Sequence, residues 1–277
     1  VELTMPRRNL PFKAVIFDWA GTMVDFGSLA PVMALEQAFE QAGVPITRAE
    51  ARLHMGRSKR EHIAAILALP RVSAAWQSAW GHAPQATDGD RLFNTLGPII
   101  DQVAAARARL IPGAAETVTW LRAQGVAVGS TTGYSRAMMD VIIRAAADQG
   151  YAPDSIVCAD DVPCGRPAPF LIYRSMTELA VWPAGDCVVV DDSEVGIMAA
   201  RAAGCWTVGV TASGNATGLD EEAFHALNDK DRQVLVTQAE HTLLSVGAHE
   251  VVQTISGLET ALATLAEKMR RGEKATG

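Results

Sequence analysis

Cysteine is scarce and shows no pairing pattern. The 277-residue chain has four, at positions 158, 164, 187 and 205, with no Cys-x-x-Cys spacing and no histidine at zinc-ligand distance. Neither a structural zinc site nor a disulfide framework organises such a chain, and free or buried thiols in a reducing compartment are expected. No run of about 18 apolar residues occurs, so no membrane-spanning helix is expected. Residues 1–12 carry Arg7 and Arg8 but no apolar segment of the kind an export signal needs, and a cytoplasmic location is the expectation. Asn215-Ala216-Thr217 fits the glycosylation pattern, which in that setting is a chance match. Basic charge is also short: 24 Lys and Arg against 31 Asp and Glu leave a net charge of −7. That balance counts against a surface built to coat nucleic acid or an anionic membrane. It favours a small-molecule partner, and an anionic one must be met by a few local cations. Internal repeats and low-complexity tracts are absent too.

What is present is a succession of short apolar runs. Residues 14–17, 126–129, 155–158, 188–190 and 206–210 read as buried parallel strands, with a further strand at 250–255. Helical stretches alternate with them at 114–124, 135–148, 169–180, 194–203 and 257–270, several closed by glycine (Gly125, Gly150, Gly204). This predicts an α/β fold with a doubly wound, Rossmann-like parallel sheet, in which sites lie at the carboxyl ends of strands. One interval breaks the rhythm. Between the first and second strands the chain reads as helices at 28–42, 47–54, 58–69, 71–81 and 87–109. An inserted helical cap over 27–108 is expected, with 1–26 and 109–277 forming the core domain. The segment 219–246 reads as helical and polar, a surface excursion.

The strand ends carry the chemistry. The first closes on Asp18 in Phe17-Asp18-Trp19-Ala20-Gly21-Thr22, the second on Ser130-Thr131-Thr132-Gly133-Tyr134, and the fourth on Asp191-Asp192-Ser193; Gly165-Arg166-Pro167 lies between the last two. Singly, each has an ordinary structural use as a turn or a helix cap. Together, a carboxylate, a hydroxyl, a cation and a carboxylate pair are the parts needed to bind and attack a phosphoryl group with one hard metal ion. In this order they resemble the haloacid dehalogenase superfamily. That resemblance, spanning residues 13–210, implies Asp18 as nucleophile and metal ligand, Thr132 and Arg166 as phosphoryl-binding groups, and Asp192 with Asp191 at the metal, expected to be Mg2+. The backbone of Ala20 is implied at the metal as well, and Ala20, Gly21 and Gly133 at the substrate. Some relatives have a further Asp where this chain has Gly196.

Residue 20 decides which reaction is expected. Phosphatases of the superfamily usually carry a second Asp there, which protonates the departing alkoxide; general acid help of that kind is worth about 10² to 10⁴ in rate. Ala20 cannot supply it. A carbon leaving group activated as an enamine does not need it, provided that a lysine first condenses with an adjacent aldehyde. Lys59 fits. Ser58 and Glu61 form a capping-box pattern that would make Lys59 the first residue of a helix, where the helix dipole, Arg57 and Arg60 would lower its pKa. His62, Ile63 and Ile66 would share its face. Met55-Gly56-x-x-Lys59-x-x-His62, taken with the strand-end motifs, resembles the phosphonoacetaldehyde hydrolase (phosphonatase) family. That resemblance implies a Lys59 Schiff base, with His62, Tyr134 and Met55 around it, a phosphonate substrate and a homodimer joined through the cap. The apolar side of 28–42 (Leu29, Val32, Met33, Phe39) is compatible with such a dimer and equally with ordinary core. His54 and Ser28 depart from the Pro and Cys expected of relatives. The competing readings are a phosphatase or sugar-phosphate mutase on the same fold, a hydrolytic dehalogenase, and an inactive binding protein.

Overall fold

The computed structural model describes residues 10–276; residues 1–9, which hold Arg7 and Arg8 and the start of the expected core domain, lie outside the described residues, as does residue 277. Six parallel strands form one sheet: β1 (Ala14–Phe17), β2 (Ala127–Thr131), β3 (Ser155–Val157), β4 (Cys187–Asp191), β5 (Trp206–Val210) and β6 (Glu250–Val252). Their order is β3-β2-β1-β4-β5-β6. β1 is therefore central, and the winding reverses between it and β4, which opens a crevice at the carboxyl ends.

The sheet has no polar face because helices cover both. All four residues of β1 are fully buried, and their alternation sorts them into two cores. Val15 and Phe17 join one cluster with Val128, Leu121 and Leu262, while Ala14 and Ile16 join the other with Ile172, Val189 and Ala200. β2 starts one residue later than expected and runs on through Ser130 and Thr131. The expected strand over 250–255 stops at Val252, and a single 3₁₀ turn at Ile255–Gly257 follows.

Between β1 and β2 lie α1 (Ala30–Gln41), α2 (Arg48–Arg52), α3 (Lys59–Leu67), α4 (Pro70–Trp80) and α5 (Ala86–Arg107). α5 packs along α1 and α3 and also reaches the core helix α7 (Arg136–Asp148), which follows α6 (Ala114–Ala123). The chain leaves and re-enters the sheet through adjacent segments: Val24 and Leu110 form an antiparallel bridge, Asp25 N–H donates to Arg109 O (3.1 Å) and Ile111 N–H to Met23 O (2.9 Å). The apolar stripe of α1 is spent inside the molecule. Leu29, Val32 and Phe39 are buried, and only Met33 reaches the surface.

The remaining helices are α8 (Phe170–Glu178), α9 (Glu194–Ala203), α10 (Glu221–Ala226), α11 (Asp229–Ser245) and α12 (Leu258–Arg270). The 219–246 stretch is two helices, capped by Asp220 and Asn228. It is not a surface excursion: Val236, Ala239 and Leu243 are buried, and α11 packs on β5 and β6. Its composition misleads because only one narrow stripe of a long helix faces the sheet. Among the described residues no helix is long and apolar enough to cross a membrane.

Candidate active site

Asp18 is the first residue beyond β1, and its N–H donates to Val190 O on β4 (2.9 Å), which turns its side chain into the crevice. Its Oδ1 accepts from Nη1 of Arg166 at 2.6 Å. Arg166 is almost fully buried. Its other arm donates to Thr131 Oγ1 (2.6 Å) and O (3.0 Å), and Nη1 also lies 3.3 Å from Asp191 Oδ2. Asp191 ends β4, with its Oδ1 accepting from the N–H (2.9 Å) and Oγ (2.7 Å) of Ser193. The next residue, Asp192, accepts from Asn215 N–H at 2.6 Å through Oδ2.

Carboxylate oxygens of Asp18, Asp191 and Asp192 all lie within 4.8 Å of one another. Burial pushes the Asp18 carboxyl up to about 7, with Arg166 opposing and Asp191 adding to the rise. Asp192 is pushed well above the usual carboxylate range, first by burial and then by Asp18 and Asp191. Arg166, with Lys59 acting on Asp18 from farther off, thus faces three buried acids, a charge imbalance that a further cation would relieve. Asp191 Oδ2 is buried without a hydrogen bond. An all-oxygen donor set in which Asp191 Oδ2 has no partner beyond its ion pair with Arg166 fits a hard divalent cation.

The glycine at 196 has a local cause. A Cβ there would fall 2.0–2.3 Å from the three carboxylate atoms of Asp191, so Asp191 occupies the space that a further Asp at 196 would need.

From the helical insertion comes Lys59, the first residue of α3, with Ser58 as N-cap accepting from Glu61 N–H (3.3 Å). Glu61 completes the turn by accepting from Ser58 Oγ (2.7 Å) rather than from its backbone. Lys59 is buried, and its N–H donates to Gly133 O (3.2 Å). Its Nζ sits 4.8 Å from the centre of the Tyr134 ring. The amine is lowered to about 8, first by burial, with Asp18 opposing and Arg166 assisting. The expected direction holds, but the cause differs: Arg60 turns away to pair with Asp90 and lies 4.0 Å over Phe93. His62, Ile63 and Ile66 are fully buried on the same helix. Burial, then Lys59, pushes the His62 imidazole down to about 3, so it is neutral at pH 7. Burial likewise holds the Tyr134 phenol well above its usual value, and its hydroxyl has no hydrogen-bond partner.

A single pocket is lined by Asp18, Ala20, Met55, Lys59, Thr132, Gly133, Tyr134, Arg166 and Asp192. His62 lies behind it. Gly21 is not in its lining; its N–H donates to Val24 O (2.8 Å) and its carbonyl accepts from Ser213 Oγ (2.8 Å), so it shapes the turn instead of offering a donor. Ser28 lines the pocket, whereas His54 is exposed, with φ of +62°, a conformation closed to proline. Thr132 Oγ1 accepts from Tyr134 N–H (3.1 Å). Thr131 and Ser193 belong to the strand-end motifs but carry no role of their own in the sequence, and Ser213 and Asn215 lie outside those motifs. The strand-end rule, applied to β5 as to β1, points to Thr211, the first polar residue after the strand, and so to the loop that carries Ser213 and Asn215.

Gly133 is where insertion meets sheet. A Cβ there would lie 2.3 Å from Arg57 O, closer than any side chain tolerates. Gly133→Ala is therefore expected to push the 56–59 segment outward and lower kcat by about 10², the penalty typical of a 1 Å misplacement, while the melting temperature changes little. Steady-state kinetics with a thermal melt would check it.

The geometry defines a hydrolase of the haloacid dehalogenase type, and comparison with known proteins agrees: the family model of haloacid dehalogenase-like hydrolases matches residues 12–204. Within that class, the chain belongs to the phosphonoacetaldehyde hydrolase family. It is 46% identical over 262 residues to the phosphonoacetaldehyde hydrolase of Paraburkholderia phytofirmans, covering 95% of this chain and 98% of that one. Identity to the Hahella chejuensis protein of the same name is 44%, over 95% and 89% of the two chains. The crystal structure of a phosphonoacetaldehyde hydrolase like protein from Oleispira antarctica superposes with a TM-score of 0.94 at 44% identity, covering 95% of this chain and 96% of the other.

Proposed function

We propose that this enzyme cleaves the carbon–phosphorus bond of phosphonoacetaldehyde to give acetaldehyde and phosphate, through an imine on Lys59 and an aspartyl-phosphate on Asp18. The observation that carries this reading is that Asp18 and a Lys59 amine of lowered basicity line one pocket whose residue 20 has no acid. Neutral Lys59 Nζ adds to the aldehyde carbon, and uptake of one proton from solvent with loss of water leaves a protonated imine. The Tyr134 ring, below that nitrogen, stabilises the positive charge without titrating. Arg166 and Thr132 hold the phosphonate oxygens while an Asp18 oxygen attacks phosphorus. The electron pair of the breaking carbon–phosphorus bond flows into the iminium and leaves as an enamine. Protonation at carbon and hydrolysis of the imine free acetaldehyde and Lys59, and water releases phosphate from Asp18. His62, one turn along α3 from Lys59, stays neutral and keeps a second charge away from the amine, a positioning role rather than that of a base.

Asp18, Asp192, Asp191 and the Ala20 carbonyl are the groups that would hold Mg2+, which when bound neutralises phosphonate charge. Chelation by EDTA should abolish phosphate release and added Mg2+ should restore it, while borohydride trapping of aldehyde on Lys59 persists in both conditions. Loss of trapping in EDTA would contradict this division of labour. In this reading residues 27–108 act as a cap over the core formed by 1–26 and 109–277, which the adjacent exit and return segments support. A homodimer through that cap and a reducing, cytoplasmic setting belong to the same reading, the latter supported by the four free cysteines.

The deciding assay measures acetaldehyde and phosphate released from phosphonoacetaldehyde beside a panel of phosphate esters. Equal release of the two products, with the esters far slower, is expected. Faster turnover of an ester would return the enzyme to the phosphatases or mutases.

A further inference from the structure

The loop after β5 touches three things at once. Asn215 N–H donates to the Asp192 carboxylate (2.6 Å). Ser213 O accepts from Gly27 N–H (2.7 Å), where the chain sets out from the sheet toward α1. From the other side Arg52, the last residue of α2, reaches in: Nη1 donates to Asn215 O (2.9 Å), Asn215 Oδ1 (2.8 Å) and Gly27 O (3.2 Å), and Nη2 donates to Gly218 O (3.2 Å). Among the described residues, every hydrogen bond of that guanidinium is thus with the loop that orients Asp192 or with the exit from the sheet. Among the described residues no carboxylate lies within salt-bridge distance of it, although Asp192, Asp25 and Glu36 act on its charge from farther off, and its hydrogen bonds go to carbonyl oxygens in a partly buried fork.

We infer that Arg52 is a positioning residue that couples the seating of the helical insertion to cation binding at Asp192, through Asn215. When α2 is seated, Arg52 draws the 215–218 turn together, and the Asn215 N–H then fixes one oxygen of Asp192 and aims the other. When α2 lifts, the turn loses the bonds from Arg52, and Asp192 loses part of its orientation. Coupling of this kind is reciprocal: a cation at Asp192 must hold α2 down by the same factor by which α2 tightens the cation.

The inference rests on the proposed role of Asp192 as a metal ligand, and the test separates the two. Mn2+ binding to the substrate-free enzyme is measured by electron paramagnetic resonance for the parent, Arg52→Ala, Arg52→Lys and Asp192→Asn. Amide exchange over residues 48–52 is followed with and without Mn2+. Arg52→Ala should weaken Mn2+ binding by about tenfold, within the range typical of coupled sites. Arg52→Lys, which keeps the charge but lacks the fork, should fall between. Mn2+ should slow exchange over 48–52 in the parent and not in Arg52→Ala, a change that a merely structural arginine would not produce. Should Arg52→Ala fail to fold, Arg52→Lys carries the comparison. Affinities within twofold of the parent in the folded Arg52 variants, with Mn2+ still protecting 48–52, would overturn the coupling. Undiminished binding in Asp192→Asn would instead overturn the metal-ligand reading and the inference with it.

Discussion

Asp18→Asn is expected to lose phosphate release by about 10⁴-fold or more, the scale on which removing a covalent nucleophile acts, while Lys59 still forms a trappable adduct with the aldehyde. The separation follows from geometry. Asp18 binds Arg166 and faces Asp191 and Asp192, whereas Lys59 hangs from Gly133 over Tyr134, so the amide removes the attacking oxygen without dismantling the amine's surroundings. Mass spectrometry after borohydride reduction, beside a phosphate assay, reads both halves. Full turnover in this variant would reject Asp18 as nucleophile. An absent adduct would show that the two halves do not act independently.

Lys59→Arg should be equally severe in the opposite half, with no adduct and carbon–phosphorus cleavage lowered by about 10⁴-fold. Arginine retains the positive charge that Asp18 faces but presents no nucleophilic amine. The pH dependence sharpens this. With its pKa lowered from 10.5 to about 8, about one Lys59 amine in ten is neutral at pH 7, against about one in three thousand for an unshifted lysine. Protonation removes the nucleophile, so the trapping rate should rise roughly tenfold per pH unit below 8 and level off above it. Continued rise to pH 10 would place Lys59 in a solvated, unshifted state and remove the reason for choosing it.

Several parts of this site were open to reading along the chain. Asp18 and the Asp191-Asp192 pair announce themselves because a fully buried parallel strand is an unbroken apolar run, and the first polar residue after it must lie at the strand's end. Lys59 was reached from a missing group, the acid absent at residue 20, together with a helix-start pattern that fixed its place in α3. The lowered basicity of that amine was anticipated in direction but assigned to the wrong neighbours. Arg57 and Arg60 are close in sequence, yet Arg60 swings out to Asp90 and Phe93, and burial against a loop more than seventy residues away is the larger cause. The stripe on α1 shows the same limit, since its periodicity fits either an interface or a core, and only α5 packing against it decides.

Local patterns therefore determined the scarcity of basic charge, the alternation of strands and helices, the helical insertion after the first strand, and the residue types available for phosphonate chemistry. Tertiary structure alone decided the strand order that brings β1, β2 and β4 together, the Arg166 fork shared between Asp18 and Thr131, the close approach at Gly133, and the Arg52–Asn215–Asp192 chain. The physical reason is distance along the chain. Periodicity and capping act over one turn of helix or a few residues of strand, whereas a buried charge takes its properties from whatever the fold packs against it.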